Sequence, residues 1–297
     1  MPSPAVFSSR RTFYIFLRVA KLLVTEIIFT ESFEPQSEPG VVYIYDDTAE
    51  FVEDKGFFRV DKLELTYLDS LHLKLQRYNP VIITGIGGFI ALNAAKVLSV
   101  RRLKKGGLKQ AIFENTSPSA HLVLVPTRPA LCTEASSLTL VFDANVPTYY
   151  VRFIPPTQVR ILSDVFVSHL EGNTLYTMLF SSPAGKITVQ EYISKCKQHS
   201  SKLFGTEFIM ALSIASHISI DIERVVSCLT SIFKQSSLSS VCHGELQASL
   251  RRVLEKKIDN LVEHSWSFYR NFLVYWGVRS RGELYKKYLT LLSFVSA

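Results

Sequence analysis

Residues 80–94 read PVIITGIGGFIALNA, with Gly85, Gly87 and Gly88 set between two apolar runs. Val81-Ile82-Ile83-Thr84 is β-branched throughout and suits a buried strand. Phe89-Ile90-Ala91-Leu92, continuing toward Val97-Leu98, suits a helix, so the stretch is predicted as strand, turn, helix. On its N-terminal side, residues 31–40 (ESFEPQSEPG) hold two prolines and acids without apolar periodicity and read as a linker. Val41-Val42-Tyr43-Ile44-Tyr45 is a strand candidate, and residues 60–76 alternate between a short strand and an amphipathic segment carrying Leu63, Leu65, Leu68, Leu71 and Leu73.

Further strands are expected at Leu122-Val123-Leu124-Val125, Leu138-Thr139-Leu140-Val141-Phe142, Tyr149 to Ile154 and Val159 to Phe166, punctuated by Pro126, Pro129, Pro147, Pro155 and Pro156. After Pro183 the pattern becomes helical. Phe204, Phe208, Leu212, Ala215, Ile218, Ile222, Val225 and Leu229 recur at helical steps, and a second long helix fits 245–270 through Leu250, Leu254, Ile258 and Leu261. Tyr285 to Val295 is read as a possible returning strand. The predicted class is α+β, a β-rich lobe with a mixed or antiparallel sheet followed by a mainly α-helical arm. The expected parts are an N-terminal segment and linker (1–40), a trunk lobe (41–185), a helical arm (186–275) and a C-terminal return segment (276–297).

With 297 residues, 47% of them hydrophobic and 12% aromatic, the chain has enough apolar surface to fold without a metal or disulfide staple. The net charge of +7 suits an acidic partner, but the densest basic run is Arg101, Arg102, Lys104 and Lys105, which reads as a solvated helix end without interleaved aromatics; nucleic acid is not expected. Cys132, Cys196, Cys228 and Cys242 form no Cys-x-x-Cys pair and read as buried thiols in a reducing compartment. The sequon at Asn115-Thr116-Ser117 is taken as chance. Residues 1–25 lack acids and loosely resemble a mitochondrial transit segment, but read better as an apolar element docked on the body. Arg18, Lys21 and Glu26 interrupt any membrane span there.

The glycine stretch resembles the phosphate-cradling turn of short-chain dehydrogenases, in which glycines let backbone approach a pyrophosphate at a helix N-terminus. On that alternative reading an NAD(P) cofactor would lie on Gly85, Gly87 and Gly88, with Glu114 as the ribose-binding acid. The strict Gly-x-Gly-x-x-Gly pattern fails at Ile90, however, and Tyr192 has its lysines at 195 and 197, so the Tyr-x-x-x-Lys step is missing. A glycine bend between a buried strand and a helix is the preferred reading. No His-x-x-x-His spacing exists. His169 near Asp164 and Ser168, and His217 near Ser219 and Asp221, are adjacent only in sequence, and Asp46-Asp47 with Glu50 lacks the form of a calcium loop.

Four steps in order, Asn115-Thr116-Ser117-Pro118, Leu122-Val123-Leu124-Val125-Pro126, Leu138-Thr139-Leu140-Val141-Phe142 and Val146-Pro147, are similar to a series in the herpesvirus capsid triplex subunit 2 family. Arg77 to Thr84 and Asn173-Thr174-Leu175-Tyr176 are similar in placement. This resemblance implies a structural, non-enzymatic protein of virion capsid and host nucleus, with no catalytic residue, cofactor or metal. It implies as partners a second copy of the chain, triplex subunit 1 and the major capsid protein, and no membrane.

Overall fold

Strands whose apolar runs do not alternate need cover on both faces, and a parallel sheet flanked by helices provides it. The computed structural model describes residues 26–49, 55–101, 107–114, 119–171, 188–203, 205–218, 220–235, 242 and 244–296. The strands are β1 (Glu26–Thr30), β2 (Val41–Tyr45), β3 (Phe57–Arg59), β4 (Ile82–Gly87), β5 (His121–Pro126), β6 (Leu138–Asp143), β7 (Thr148–Phe153) and β8 (Gln158–Leu162). Six of them form one sheet in the order β1-β8-β5-β4-β2-β3, and every pairing in it is parallel. β6 and β7 form a separate antiparallel hairpin, Leu138 facing Phe153 and Asp143 facing Thr148.

The helices in this part are α1 (Leu65–Leu75), α2 (Phe89–Ser99), α3 (Gly107–Phe113), α4 (Ser163–Glu171) and α5 (Val189–Leu203). The helices α1 to α3 lie in the crossovers between parallel strands, where such a connection needs a long excursion. On one face of the sheet, Tyr43, Tyr45, Ile86, Val123 and Val125 pack together with Phe57 and Leu162. Gly85 serves α2, because a Cβ there would lie 2.6 Å from Ala95 Cβ.

The expected mixed or antiparallel lobe is therefore corrected. Among the described residues only the β6–β7 hairpin is antiparallel, and the non-alternating runs of β2, β4 and β5 are strands covered on both faces. The coarse α+β description holds in that a helical part follows the sheet.

The described residues fall into two compact units, one within Leu17–Ser200 and one within Ser201–Ala297. The second consists of α6 (Thr206–Ala215), α7 (Ile222–Gln235), α8 (Glu245–Tyr275) and α9 (Arg281–Ser296). Its core joins α6, α8 and α9 through buried hydroxyls: Ser213 Oγ meets Ser265 Oγ at 2.6 Å, and Ser265 Oγ meets Tyr288 Oη at 2.8 Å. Burial raises the Tyr288 phenol well above its ordinary range. Tyr285 to Val295 is helix, not strand. Ser280 caps its start, the Glu283 N–H donating to Ser280 Oγ (3.2 Å), and Glu283 Oε2 reaches back past the cap to accept the Arg279 N–H (2.6 Å).

The apolar element at 1–25, the basic residues 102–105, the Asn115 to Pro118 step and the 173–176 step lie outside the described residues. Among the described residues no helix is long and apolar enough to cross a membrane.

The cysteines depart from the expected idle thiols: Cys132 bonds Cys196 and Cys228 bonds Cys242. The first bond ties the segment after β5 to α5. Unreduced, denatured protein should therefore show no reactive thiol in a colorimetric titration. Reduction and alkylation should lower unfolding stability by about 3 kcal/mol per bond, read from urea midpoints. Four reactive thiols in unreduced protein would contradict the pairing.

Candidate functional site

Sheet order locates the crevice. β3 lies on one side of β2, whereas β4, β5 and β8 build outward from the other, so the direction of sheet growth reverses at the β2–β4 pair. In open α/β sheets ligands bind outside the carboxyl ends of the strands at such a point. The pairing Tyr45 with Ile86 is the last in register, so the next residues, Asp46 and Gly87, lie side by side at those carboxyl ends.

Gly87 has φ +137°, and a Cβ built on it would overlap the Asp46 carboxylate. That backbone conformation strains any side chain. Gly88 precedes the first turn of α2, and a Cβ there would lie 2.5 Å from Arg128 Nε. The turn is thus closed around by two side chains of opposite charge.

Asp46 is 2% exposed and acts as an acceptor hub. Its carboxylate accepts from Gly88 N–H (3.0 Å to Oδ2), Ala91 N–H (3.1 Å), Thr48 N–H (3.1 Å) and Thr48 Oγ1 (2.6 Å). Thr48 Oγ1 in turn lies 2.9 Å from Thr127 Oγ1, and the Thr127 N–H donates to Gly87 O at 3.0 Å. The N–H groups that open α2 therefore face an anion, the arrangement that binds phosphate at other helix N-termini.

A second polar cluster holds the segment that carries Arg128. Lys96, fully buried on α2, donates to the carbonyls of Ser136 and Leu138, each at 2.7 Å, and to that of Thr133. Three acceptors match the three N–H bonds of an ammonium. Desolvation pulls Lys96 down to about 7, and the same burial pushes Glu134 up to about 7 although the Tyr192 hydroxyl donates to it. Asn93 adds to the hold, its Oδ1 accepting the Leu140 N–H at 2.8 Å and its Nδ2 donating to Phe89 O at 2.8 Å.

Of the residues expected to bind a cofactor on the alternative reading, Gly85, Gly87 and Gly88 come together at the β4–α2 junction. Glu114 does not join them. It follows α3, is exposed, and accepts a hydrogen bond from the Gln110 side chain. The acid at the strand end is Asp46, expected from the sequence only as part of an acidic turn. Ser219 lies outside the described residues, and among the described partners of the histidine groupings Ser168 and Asp221 are engaged elsewhere. Ser168 Oγ donates to Val165 O (2.8 Å), and Asp221 caps α7 by accepting the Glu223 N–H (2.6 Å). His217 Nδ1 lies 2.8 Å from Ser213 O, with its ring centroid 5.3 Å from that of His264.

No protein-family model matches the chain, and no curated protein matches it in sequence. Solved structures do match in fold. A sulfoacetaldehyde reductase from Bifidobacterium kashiwanohense in complex with NAD+ aligns at TM-score 0.57 and 10% identity, over 91% of this chain and 97% of that one. An iron containing alcohol dehydrogenase aligns at 0.54 and 9% identity, over 91% and 97%. A probable glycerol dehydrogenase from Sinorhizobium meliloti 1021 aligns at 0.52 and 11% identity, over 97% and 95%. The chain shares their fold. The likeness to triplex subunit 2 is corrected by it, and with it the non-enzymatic capsid role and the virion and host-nucleus location. Among the described residues the matched steps are the apolar strand β5 of the parallel sheet and the β6–β7 hairpin, which any covered sheet would repeat. The partners that the likeness implied rest on it alone.

One of these neighbours is named for iron. Among the described residues no group of three or more His, Cys, Asp or Glu side chains is placed to hold a metal ion, so those residues do not fit one.

The Lys96 and Glu134 shifts have opposite signs in pH. Glu134 is raised, so its contribution is complete below the unfolded value of 4.5 and is lost as pH rises toward 7. Lys96 is lowered, so its contribution is complete above 10.5 and is lost as pH falls toward 7. Urea unfolding from pH 5 to 9 should show a minimum of stability near 7, with limbs of about 2 kcal/mol. Glu134→Gln should flatten the acidic limb and, by removing the charge that favours the Lys96 ammonium, extend the basic limb to lower pH; an acidic limb unchanged in that variant would contradict the assignment.

Proposed function

We infer that this protein is a nicotinamide-dinucleotide-dependent oxidoreductase whose cofactor lies across the carboxyl ends of β4 and β2. One observation carries the reading: a glycine turn that opens a helix, placed at the reversal of sheet order, with α2's first N–H groups arranged around an anion. Gly87 and Gly88 bring backbone close to the ligand, Gly85 seats α2 on β4, and Arg128 supplies positive charge beside the turn. The bound dinucleotide would supply a hydride donor or acceptor. The names of the fold neighbours, alcohol dehydrogenase, glycerol dehydrogenase and sulfoacetaldehyde reductase, support an alcohol or aldehyde as substrate class, and the NAD+ in the last supports the cofactor.

Titration of the purified chain with NADH or NADPH, followed by nucleotide fluorescence, should give saturable binding to one of them. Gly88→Val should weaken it at least about 10-fold, since a side chain there displaces the Arg128 guanidinium from the turn. Wild-type protein that binds neither nucleotide at millimolar concentration would overturn the reading.

A further inference from the structure

We propose that Asp46 is an internal counter-anion that fills the phosphate seat of the glycine turn and must swing out before a phosphate-bearing ligand can bind. The proposal rests on the dinucleotide reading for the identity of the ligand, and on geometry for everything else.

The turn offers an incoming phosphate the N–H groups of Gly88 and Ala91, and the Asp46 carboxylate already accepts from both. The position a Gly87 side chain would take is occupied by the same carboxylate. Asp46 is 2% exposed and meets both N–H groups directly, at 3.0 and 3.1 Å, so a ligand cannot reach them without moving it. Two anions sharing these donors would sit at contact distance inside a buried turn, where their repulsion is weakly screened. Displacement is therefore the route to occupancy.

The surroundings suit such a displacement. Arg128 stands against Gly88, so a cation remains at the turn when Asp46 leaves. Thr48 holds the carboxylate through its own N–H and hydroxyl, and Thr127 accepts or donates at that hydroxyl. These contacts come from Thr48 in the loop after β2 and from Thr127 just after β5, not from α2. They fix where the carboxylate rests without tying down the turn itself. The seat is thereby self-capped: full when empty of ligand, and weakened for every phosphate by the same group.

Neutralising or loosening Asp46 should tighten phosphate binding. Calorimetric titration of inorganic pyrophosphate and of NAD+ into wild type, Asp46→Asn and Thr48→Val, each checked for folding by circular dichroism, should show both variants binding at least about 10-fold more tightly than wild type. If pyrophosphate tightens while NAD+ binds none of the three, the self-cap stands and the dinucleotide reading falls. If wild type binds NAD+ and Asp46→Asn binds it more weakly, the self-cap is overturned, Asp46 is an acceptor for ligand hydroxyls, and the dinucleotide reading stands. If none binds either probe, both fall. A measurement on wild type alone guards against variants that do not fold. On saturation with pyrophosphate, amide hydrogen exchange at Thr48 should accelerate while Gly88 and Ala91 stay protected, and unchanged exchange at Thr48 with pyrophosphate bound would overturn the proposal.

Discussion

The N–H groups that open α2 are buried at the end of a buried strand, and they must find an acceptor within the protein. Asp46 provides it, and much of the sheet half follows from that demand. An acceptor can reach the turn only from a strand beside β4, which fixes Asp46 to the end of β2 through the parallel register of Tyr45 with Ile86. The carboxylate can approach only where no side chain intervenes, which requires glycine at 87. The acceptor is itself an ion out of water, so it needs further donors, and Thr48 gives two.

Much of this fold is legible as elements and little of it as order. The strand, turn and helix around Gly85, Gly87 and Gly88 form where the β-branched run and the glycines place them. The β5, β6 and β7 runs also form, yet nothing local says that β5 pairs with β4 in parallel while β6 pairs with β7 in antiparallel. The absence of alternation in Leu122 to Val125 is the trace of the parallel sheet, and it is weak because a sandwich strand covered on both faces reads the same. Tyr285 to Val295 is rich in Leu, Tyr and Phe and mimics a strand, while the decisive sign of helix, Ser280 three residues before Glu283, lies just upstream. Cys132 and Cys196 are 64 residues apart, a separation at which pairing is a property of the fold alone.

The site was half legible for a topological reason. Where a glycine turn ends the first strand of a nucleotide unit, the ribose acid follows it on the next strand, and that expectation points to Glu114. Here the glycine strand is β4, and the buried acid that meets its turn, Asp46, comes from the end of β2, earlier in the chain, and caps the turn itself. The acid therefore precedes the glycines. Lys96 is hidden for another reason: a charged residue on an apolar helix face ordinarily signals solvent, and only the folded chain reveals three carbonyls waiting for the ammonium.

The two polar clusters divide α2 between them and do different work. Lys96 and Asn93 bind its body to the hairpin and to the segment after β5, using groups that would be left buried without partners if either side chain moved away. That is costly, so the body of α2 is a fixed platform. At the N-terminal end the partner is a single carboxylate on a loop, and its departure leaves N–H groups that an incoming anion can satisfy. An exchange of acceptors at a rigid helix end conserves hydrogen bonds while changing the ligand. The rigidity of Lys96 is what allows it, because a helix free to shift would close the seat once Asp46 left it.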